Sequence, residues 1–554
     1  MKETIIETKS CTQCSTSFDI TDRDMKFYKQ VSPVIWGVKH DIPAPEKCPD
    51  CRMQNRMSFR NERRLFKRKC NATGKEIISM YTPENKLKIC HQDIWLWDSW
   101  DALDYGRNVD LSRSIFDQFS DLQKEAPVPA LYAYYGTNSD YCNCASYQKN
   151  GYLVFASTRD EDCMYWDYVN DCKDCVDWVM VFESENCYEC IDCIGGYNLK
   201  HCIDCKDSRD CLYSRNLLNC KDCFGCTNLV WKSYCFENTQ FTKEEYEEKI
   251  RDIKDYQIPK RDFVKFMSWE NNQNSSGNYI SNTKNSYYCF DGNNLEDCKY
   301  TVWFYDAKNC HDIYSFWWET ENCYECVGMW DTCSNIIFST NVSLNSADIM
   351  YCMFCIWSKN CFGCIGLKNA QYCIFNKQDT KEEYEELLPK IIEKMKDASE
   401  WGKPFPVSMS TFPYTSSVAS DYYPLSKSEA MDVGYNWSDY ENPIPKVEKI
   451  IPANKLPENI SDVPDDILNW AVECETTWRP FRIIKPELEF YRKHDLPIPK
   501  RHPDQRILEK IQSRNPRKLY DRNCDKCSLE LSTTYSLERP EKLYCESCYN
   551  NAVY

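Results

Sequence analysis

Cysteine at 37 of 554 positions narrows what this chain can fold into more than any other feature, because in the middle of the chain the cysteines keep step. "NCYECIDC" (186–193) is followed by "HCIDC" (201–205), "DC" (210–211), "NCKDCFGC" (219–226) and "YC" (234–235). The leading cysteines Cys187, Cys202, Cys220 and Cys235 stand 15 or 18 residues apart, and steps of nine join Cys193, Cys202, Cys211 and Cys220. Asn, Asp, His or Tyr commonly precedes the Cys. A period this short does not suit helical repeats. It predicts a parallel β-solenoid with coils of 15–18 residues, in which equivalent residues stack every ~4.8 Å. Cysteine is small and apolar enough to fill a narrow coil, and Asn or Asp before it suits a ladder at the corners.

The pattern stops twice for a helix. "TKEEYEEKIRDIKDY" and "TKEEYEELLPKIIEKM" open with Thr242 and Glu245, and with Thr380 and Glu383, at capping-box spacing. "ENCYEC" occurs at 185–190 and again at 321–326. The middle is therefore expected to be duplicated, as two β-solenoid lobes of about five coils each, closed by helices that cover an open sheet edge.

The ends are duplicated as well. "HDIPAPEKCPDCR" from His40 resembles "HDLPIPKRHPDQR" from His494, and residues 63–94 align with 517–548 without a gap. Each copy has room for two four-ligand sets. The first copy keeps Cys11, Cys14, Cys48 and Cys51 but has Cys70, Thr73, His91 and Ile94 in its second set. The second copy has Cys474, Thr477, His502 and Gln505 in its first set and keeps Cys524, Cys527, Cys545 and Cys548. Two C-x-x-C pairs satisfy a tetrahedral ion with no open position, which points to structural zinc, about two ions per chain. In a module poor in core, the metal supplies much of the folding energy. Cys70 with Cys90 or His91, and Cys474 with His502, are candidates for partial sites only.

In the solenoid, Cys187, Cys190, Cys202 and Cys205, and likewise Cys352, Cys355, Cys361 and Cys364, form weaker candidates for zinc or an iron–sulfur cluster. Stacked thiols need no ligand, so a plain structural ladder is the first expectation. A metal-handling or thiol-redox protein is the rival reading.

Net charge is −17, which argues against a chain coated in nucleic acid. Yet residues 52–70 and 500–524 are basic, and both stretches lie between ligand sets. Arg60, Arg63, Arg64, Arg68, Arg514, Arg517 and Arg522 are candidate contacts to RNA, a ribonucleoprotein or an acidic protein surface, since arginine forks suit phosphate and carboxylate. The competing expectation is that they pair with acids of the same chain. None of the six histidines falls in a recognised catalytic motif, and P-loop, dinucleotide, metalloprotease and nucleophile-elbow patterns are missing. A non-enzymatic scaffold is expected, with a carbohydrate-active solenoid enzyme as a more distant alternative. The start, "MKETIIETKSCTQC", does not read as a secretory leader, and no apolar run is long enough for a membrane span, so a cytoplasmic location is expected.

The expected organisation is mainly β: a zinc-ribbon module at 1–94, an aromatic cap at 95–150, a first lobe at 151–257, a second lobe at 258–400, a Pro/Ser-rich connector at 401–470 and a second zinc-ribbon module at 471–554. The end modules resemble zinc-ribbon or treble-clef knuckles. Through "RNERRLFKRKCNATGKEIIS", "LDYGR", "TKEEYEE" and "RNPRKLYDRNCDKC" with "YCESCY", the chain resembles uncharacterised cysteine-rich proteins of uncultured small-genome bacteria. That resemblance implies no activity. It implies a cysteine pair near 91 and 94, where this chain has His91 and Ile94.

Overall fold

A computed structural model describes residues 3–554 except 98, 252, 254, 255, 269, 318, 319, 322, 331 and 332. Its governing feature is backbone handedness. Through the first lobe almost every third residue has positive φ, as in Asp162, Tyr165, Tyr168, Asp171, Asp174, Asp177 and Met180. Each left-handed residue turns the chain through a corner. Four three-residue sides close one coil, so parallel partners lie twelve apart: Cys163 pairs with Cys175, and Cys211 with Cys223 and then Cys235. A few coils of the second lobe take thirteen, as between Thr320 and Cys333.

The solenoid is thus as expected, but its coil is shorter than the 15–18 residues read from the cysteines. The discrepancy has a simple origin. Steps of 9, 15 and 18 are all multiples of the three-residue side, and cysteine occupies only some of the inward positions. Shorter coils are more numerous, about nineteen turns across residues 133–374 in place of about five per lobe.

The residue after each corner points inward. Cys163, Cys175, Cys190, Cys193, Cys202 and Cys205 are fully buried there, in a core shared with Val154, Trp178 and Leu217. Cys289, Cys298, Cys310, Cys352, Cys355, Cys361 and Cys364 do the same in the second lobe, with Ile280, Ile313, Val342 and Leu367. The residue before the cysteine is the corner itself. Asn and Asp tolerate left-handed backbone better than most side chains. They also ladder: Asn138 donates to Asn150 at 3.0 Å and Asn150 to Asp162 at 2.8 Å.

Inside, sulfur behaves as a weak hydroxyl. Cys187 Sγ donates to the Glu185 carbonyl at 3.0 Å and accepts the Leu199 N–H at 3.2 Å. Ser208 fills the same role, donating to the Lys206 carbonyl at 2.9 Å and accepting the Cys220 N–H at 3.1 Å. A branched hydrocarbon fits this space but leaves a buried N–H unmet.

The fold gathers into two compact units. One contains residues 1–130, 265–439 and 516–546, and the other 131–264, 440–515 and 547–554. The first unit holds the first end module and the second lobe; the second holds the first lobe and residues 470–513. Each lobe ends in an antiparallel reversal, Cys235 opposite Gln240 and Cys373 opposite Gln378. The capping boxes then start the helices Lys243–Ile250 and Lys381–Asp397, which place Tyr246 and Tyr384 in buried positions. The stretch after 400 packs through its aromatics: Phe405 stacks on Phe119 at 4.5 Å, and Phe412 on Tyr81 at 5.0 Å.

One inward position carries a charge-bearing group. Asp160 is 1% exposed and accepts from Ser157, from Gln148 Nε2 at 2.8 Å and from the Cys172 N–H at 3.1 Å. Burial outweighs these donors and raises its carboxyl to about 7. A raised folded-state value means that stability is complete below the unfolded value near 4. It falls by about 1.4 kcal/mol per pH unit as pH rises towards 7, where the folded group also ionises. Denaturant titrations of wild type and Asp160→Asn are therefore expected to show the variant gaining on wild type between pH 5 and pH 8. A constant difference across that range contradicts the assignment. At the sulfur rungs, Cys187→Ser is expected to cost less than Cys187→Val, by about 1 kcal/mol in the same titrations.

Candidate metal centres

The four candidate ligand sets share one local design. Cys11-x-x-Cys14 sits at the tip of the hairpin Ile5–Ser10 and Ser17–Thr21. The Ser15 N–H donates to the Cys11 carbonyl at 2.9 Å, the Cys11 N–H donates to Thr16, and Ser15 has φ +60°. Cys48 is the N-cap of the helix Pro49–Ser58 and Cys51 lies in its first turn. The other complete set repeats this. Cys524-x-x-Cys527 turns between Tyr520–Asn523 and Glu530–Thr533, Ser528 has φ +61°, and Cys545 and Cys548 flank the start of the helix Glu546–Val553.

In each complete set one sulfur from every residue lies within 4.8 Å of the other three. Cys14 and Cys48 are 3.7 Å apart, and Cys527 and Cys545 are 3.6 Å apart. A tetrahedral ion with metal–sulfur bonds of about 2.3 Å requires sulfur pairs about 3.8 Å apart, so both sets fit such an ion. Backbone donors favour thiolate: the Gln13 N–H reaches Cys11 Sγ at 3.4 Å and the Cys545 N–H reaches Cys524 Sγ at 3.3 Å. Donation from Cys51 pulls Cys48 down to about 5 and pushes Cys51 up, the signature of thiols competing for few protons. Burial opposes ionisation of Cys524, but the N–H groups of Cys545 and Lys526 bring it down to about 6. Four clustered thiolates repel one another; a divalent cation removes that penalty.

The two incomplete sets keep the turn without the ligands. Gly74 N–H donates to the Cys70 carbonyl at 2.8 Å, and Trp478 N–H to the Cys474 carbonyl at 3.0 Å, with φ +70° at Gly74 and +60° at Trp478. His91 and His502 occupy the position of the third cysteine and serve as helix N-caps. Their Nδ1 atoms accept from the Asp93 and Asp504 N–H groups at 3.3 and 3.1 Å. Cys474 belongs to an apolar cluster with Phe481, Leu488 and Tyr491. Among the described residues, neither Cys70, Cys90 and His91 nor Cys474 and His502 form a ligand group of three.

The candidate partner-binding arginines are directed at the chain itself. Arg60 pairs with Glu62. Arg63 and Arg64 both fork onto Asp421, at 2.7 and 2.6 Å; burial opposes ionisation there, but the two guanidinium groups hold the carboxyl down at about 2. Arg68 donates to the Thr82 carbonyl at 2.9 Å and Arg522 to the Ser536 carbonyl at 3.1 Å. Arg514 meets Asp192 at 2.8 Å. Arg517 meets Asp291 at 3.0 Å and lies over the rings of Trp303 and Tyr422.

The arginines that anchor the ligand helices were not among those candidates. Arg52, in the helix of Cys51, forks onto Asp312 at 2.9 and 3.0 Å, and Arg56 joins at 2.9 Å, with Glu325 beside them. In the other unit Arg506 pairs with Asp177, close to Glu487, which accepts from Tyr165 and Tyr491 at 2.7 and 2.8 Å. The signal was present: Pro-Asp-x-Arg is the part that both end modules retain, and its last residue is Arg52 in one and Arg506 in the other. The repeated "ENCYEC" supplies Glu325 against Arg52, and Glu189 against Lys510 at 3.6 Å.

The solenoid quartets are divided among rungs. Cys190 and Cys202 occupy adjacent rungs, as do Cys193 and Cys205, while Cys187 is followed by Leu199, since one coil is twelve residues. Cys352 precedes Cys364, Cys361 precedes Cys373, and Cys355 precedes Leu367 in the same way. Their sulfurs bond backbone carbonyls, for example Cys202 to Cys211 at 3.3 Å and Cys355 to Cys364 at 3.7 Å. Burial pushes the thiols of Cys187, Cys202, Cys352 and Cys364 well above their ordinary value. Burial opposes ionisation of Cys190 and Cys205 as well, but the neighbouring thiols of Cys193 and Cys202 bring both down, Cys205 to about 5. Among the described residues, only the two end sets gather three or more ligand atoms closely enough for one ion. No protein-family model and no curated protein matches the chain.

The incomplete sets make a direct test of the shared design. Installing Thr73→Cys, His91→Cys and Ile94→Cys beside Cys70 is expected to create a third tetrahedral thiolate site. Cobalt titration, read by thiolate-to-metal charge transfer, should take up one equivalent more than the unaltered chain does. An unchanged stoichiometry shows that the knuckle has lost its ligand geometry.

Proposed function

We propose that this protein is a non-enzymatic interaction scaffold, with one structural zinc ion closing each end module and a thiol-filled solenoid between them in sequence. The observation that carries this reading is the pair of four-sulfur sets, each with ligand atoms mutually within 4.8 Å. All-cysteine donors at this spacing favour zinc among common cellular ions and leave no coordination position for a substrate. The solenoid thiols are engaged with backbone groups, which favours a structural ladder over metal handling. Thiols kept reduced in such numbers suit the cytoplasm. No helix among the described residues is long and apolar enough to cross a membrane.

For the partner, RNA or a ribonucleoprotein remains the first candidate and an acidic protein surface the second. The arginines weighed for this role serve internal contacts. The reading is supported instead by exposed lysines in and near the knuckles, Lys67, Lys69 and Lys75 at one end and Lys518, Lys526 and Lys542 at the other. Phosphate contacts of this kind weaken steeply with salt.

Elemental analysis of the undenatured protein is expected to give two zinc ions per chain. Their removal by a strong chelator should lower Tm in proportion to the metal released. A metal-free protein with the same Tm and the same thiol reactivity at Cys14 and Cys527 contradicts the zinc assignment.

A further inference from the structure

Of the 37 cysteines, two are exposed, Cys14 and Cys527; Cys144 and Cys548 are half-buried and the others buried. The exposed two hold equivalent places, as the second cysteine of the knuckle turn in each complete set. Each lies at contact distance from one buried thiol of its own set. Cys14 Sγ is 3.7 Å from that of Cys48, and Cys527 Sγ is 3.6 Å from that of Cys545, both partners being 5% exposed. In both sets the partner is the cysteine immediately before the ligand helix. The first knuckle thiols, Cys11 and Cys524, are buried and accept the N–H groups of Gln13 and Cys545.

Exposure and proximity together set these two cysteines apart. A dissolved oxidant reaches a sulfur where solvent does, and an oxidised sulfur beside a second thiol closes to a disulfide. The coil thiols fail the first condition. Cys175, Cys190, Cys202 and Cys223 have no exposed surface, and an oxidant meets them only after a coil opens. Cys14 and Cys527 satisfy both conditions in the folded chain.

We propose that Cys14 and Cys527 are oxidation sites for hydrogen peroxide, each resolved by its neighbour, Cys48 or Cys545, into a disulfide across the ligand set. The consequence for metal rests on the zinc reading above. The Cys14 thiolate attacks one peroxide oxygen; an S–O bond forms, the O–O bond breaks and hydroxide leaves. The Cys48 thiolate then attacks the sulfenic sulfur; the S–S bond forms, the S–O bond breaks and a second hydroxide leaves. Two electrons pass from the thiolates to the peroxide, and each hydroxide takes a proton to become water. Cys527 and Cys545 repeat the sequence. Each disulfide removes two ligands, and the pair that remains, Cys11 with Cys51 or Cys524 with Cys548, cannot close a tetrahedral site. Oxidation therefore ejects the ion.

The test uses the undenatured full chain. Zinc content is measured first, hydrogen peroxide is added, released metal is read with a chromogenic chelator, and disulfides are mapped on peptides after alkylation. The expected links are Cys14–Cys48 and Cys527–Cys545, with one ion released per disulfide, the coil cysteines alkylated as thiols, and both sites restored by reductant and zinc. Links within Cys11-x-x-Cys14 or Cys524-x-x-Cys527 overturn the proposal. So do coil cysteines that oxidise before Cys14 and Cys527, and end thiols that stay reduced. A chain that carries no zinc at the outset refutes the zinc reading instead, and the same mapping still decides which sulfurs pair.

Discussion

A left-handed residue at every third position is the constraint on which the rest of this structure depends. A corner of this kind is costly for an ordinary side chain, by about 1 kcal/mol or more apiece. No single coil sustains it. Stacking does, because each coil pairs its backbone with the next and buries a continuous strip of side chains. The corner also decides composition. It takes Asn and Asp where polar ladders form, and aromatic residues such as Tyr165, Tyr351 and Trp303 where another segment packs against the outside. The interior is filled mainly by cysteine and serine, with a few aliphatic residues and the rings of Trp166, Trp178 and Phe304.

Inside that space, hydrophobic filling and hydrogen bonding are met by the same atom. Sulfur is apolar enough to pack and polar enough to accept an N–H from the next coil. Abundant cysteine therefore carries two separate meanings here. At the ends it is gathered by a hairpin and a helix N-terminus into a four-sulfur set. In the coils it is spread over rungs and bonded to carbonyls. What separates the two is backbone geometry, since C-x-x-C occurs in both.

The end modules show what can be lost once the surrounding fold is established. A knuckle keeps its turn through two backbone hydrogen bonds and one left-handed residue, and histidine can take over the capping position that a ligand cysteine holds elsewhere. Buried ion pairs, and not complete ligand sets, are the element the two modules hold in common. Removing one partner of such a pair is strongly unfavourable, by about 3–5 kcal/mol, although the pair itself contributes little net stability. Its contribution is therefore registry: Arg52 on Asp312 and Arg506 on Asp177 fix which coil each helix meets within its own unit.

Much of this was legible in the residues. The two metal sets, the duplication of ends and middle, the capping boxes and the solenoid class all follow from spacing, because ligand geometry, helix capping and rung stacking act over short stretches of chain. The coil length was not, since cysteine samples only some inward positions and its steps share a factor of three with the true period. The destination of the arginines was not either. A basic stretch reads the same whether its charges face a partner or the chain's own carboxylates, and Arg63 is separated from Asp421, like Arg517 from Asp291, by more than two hundred residues. By itself the sequence determined that sulfur would gather at the ends and stack in the middle. Only the tertiary structure decided that the first end module packs with the second lobe and that arginines of the basic stretches pair with the chain's own carboxylates, because burial and charge pairing depend on which distant segments meet.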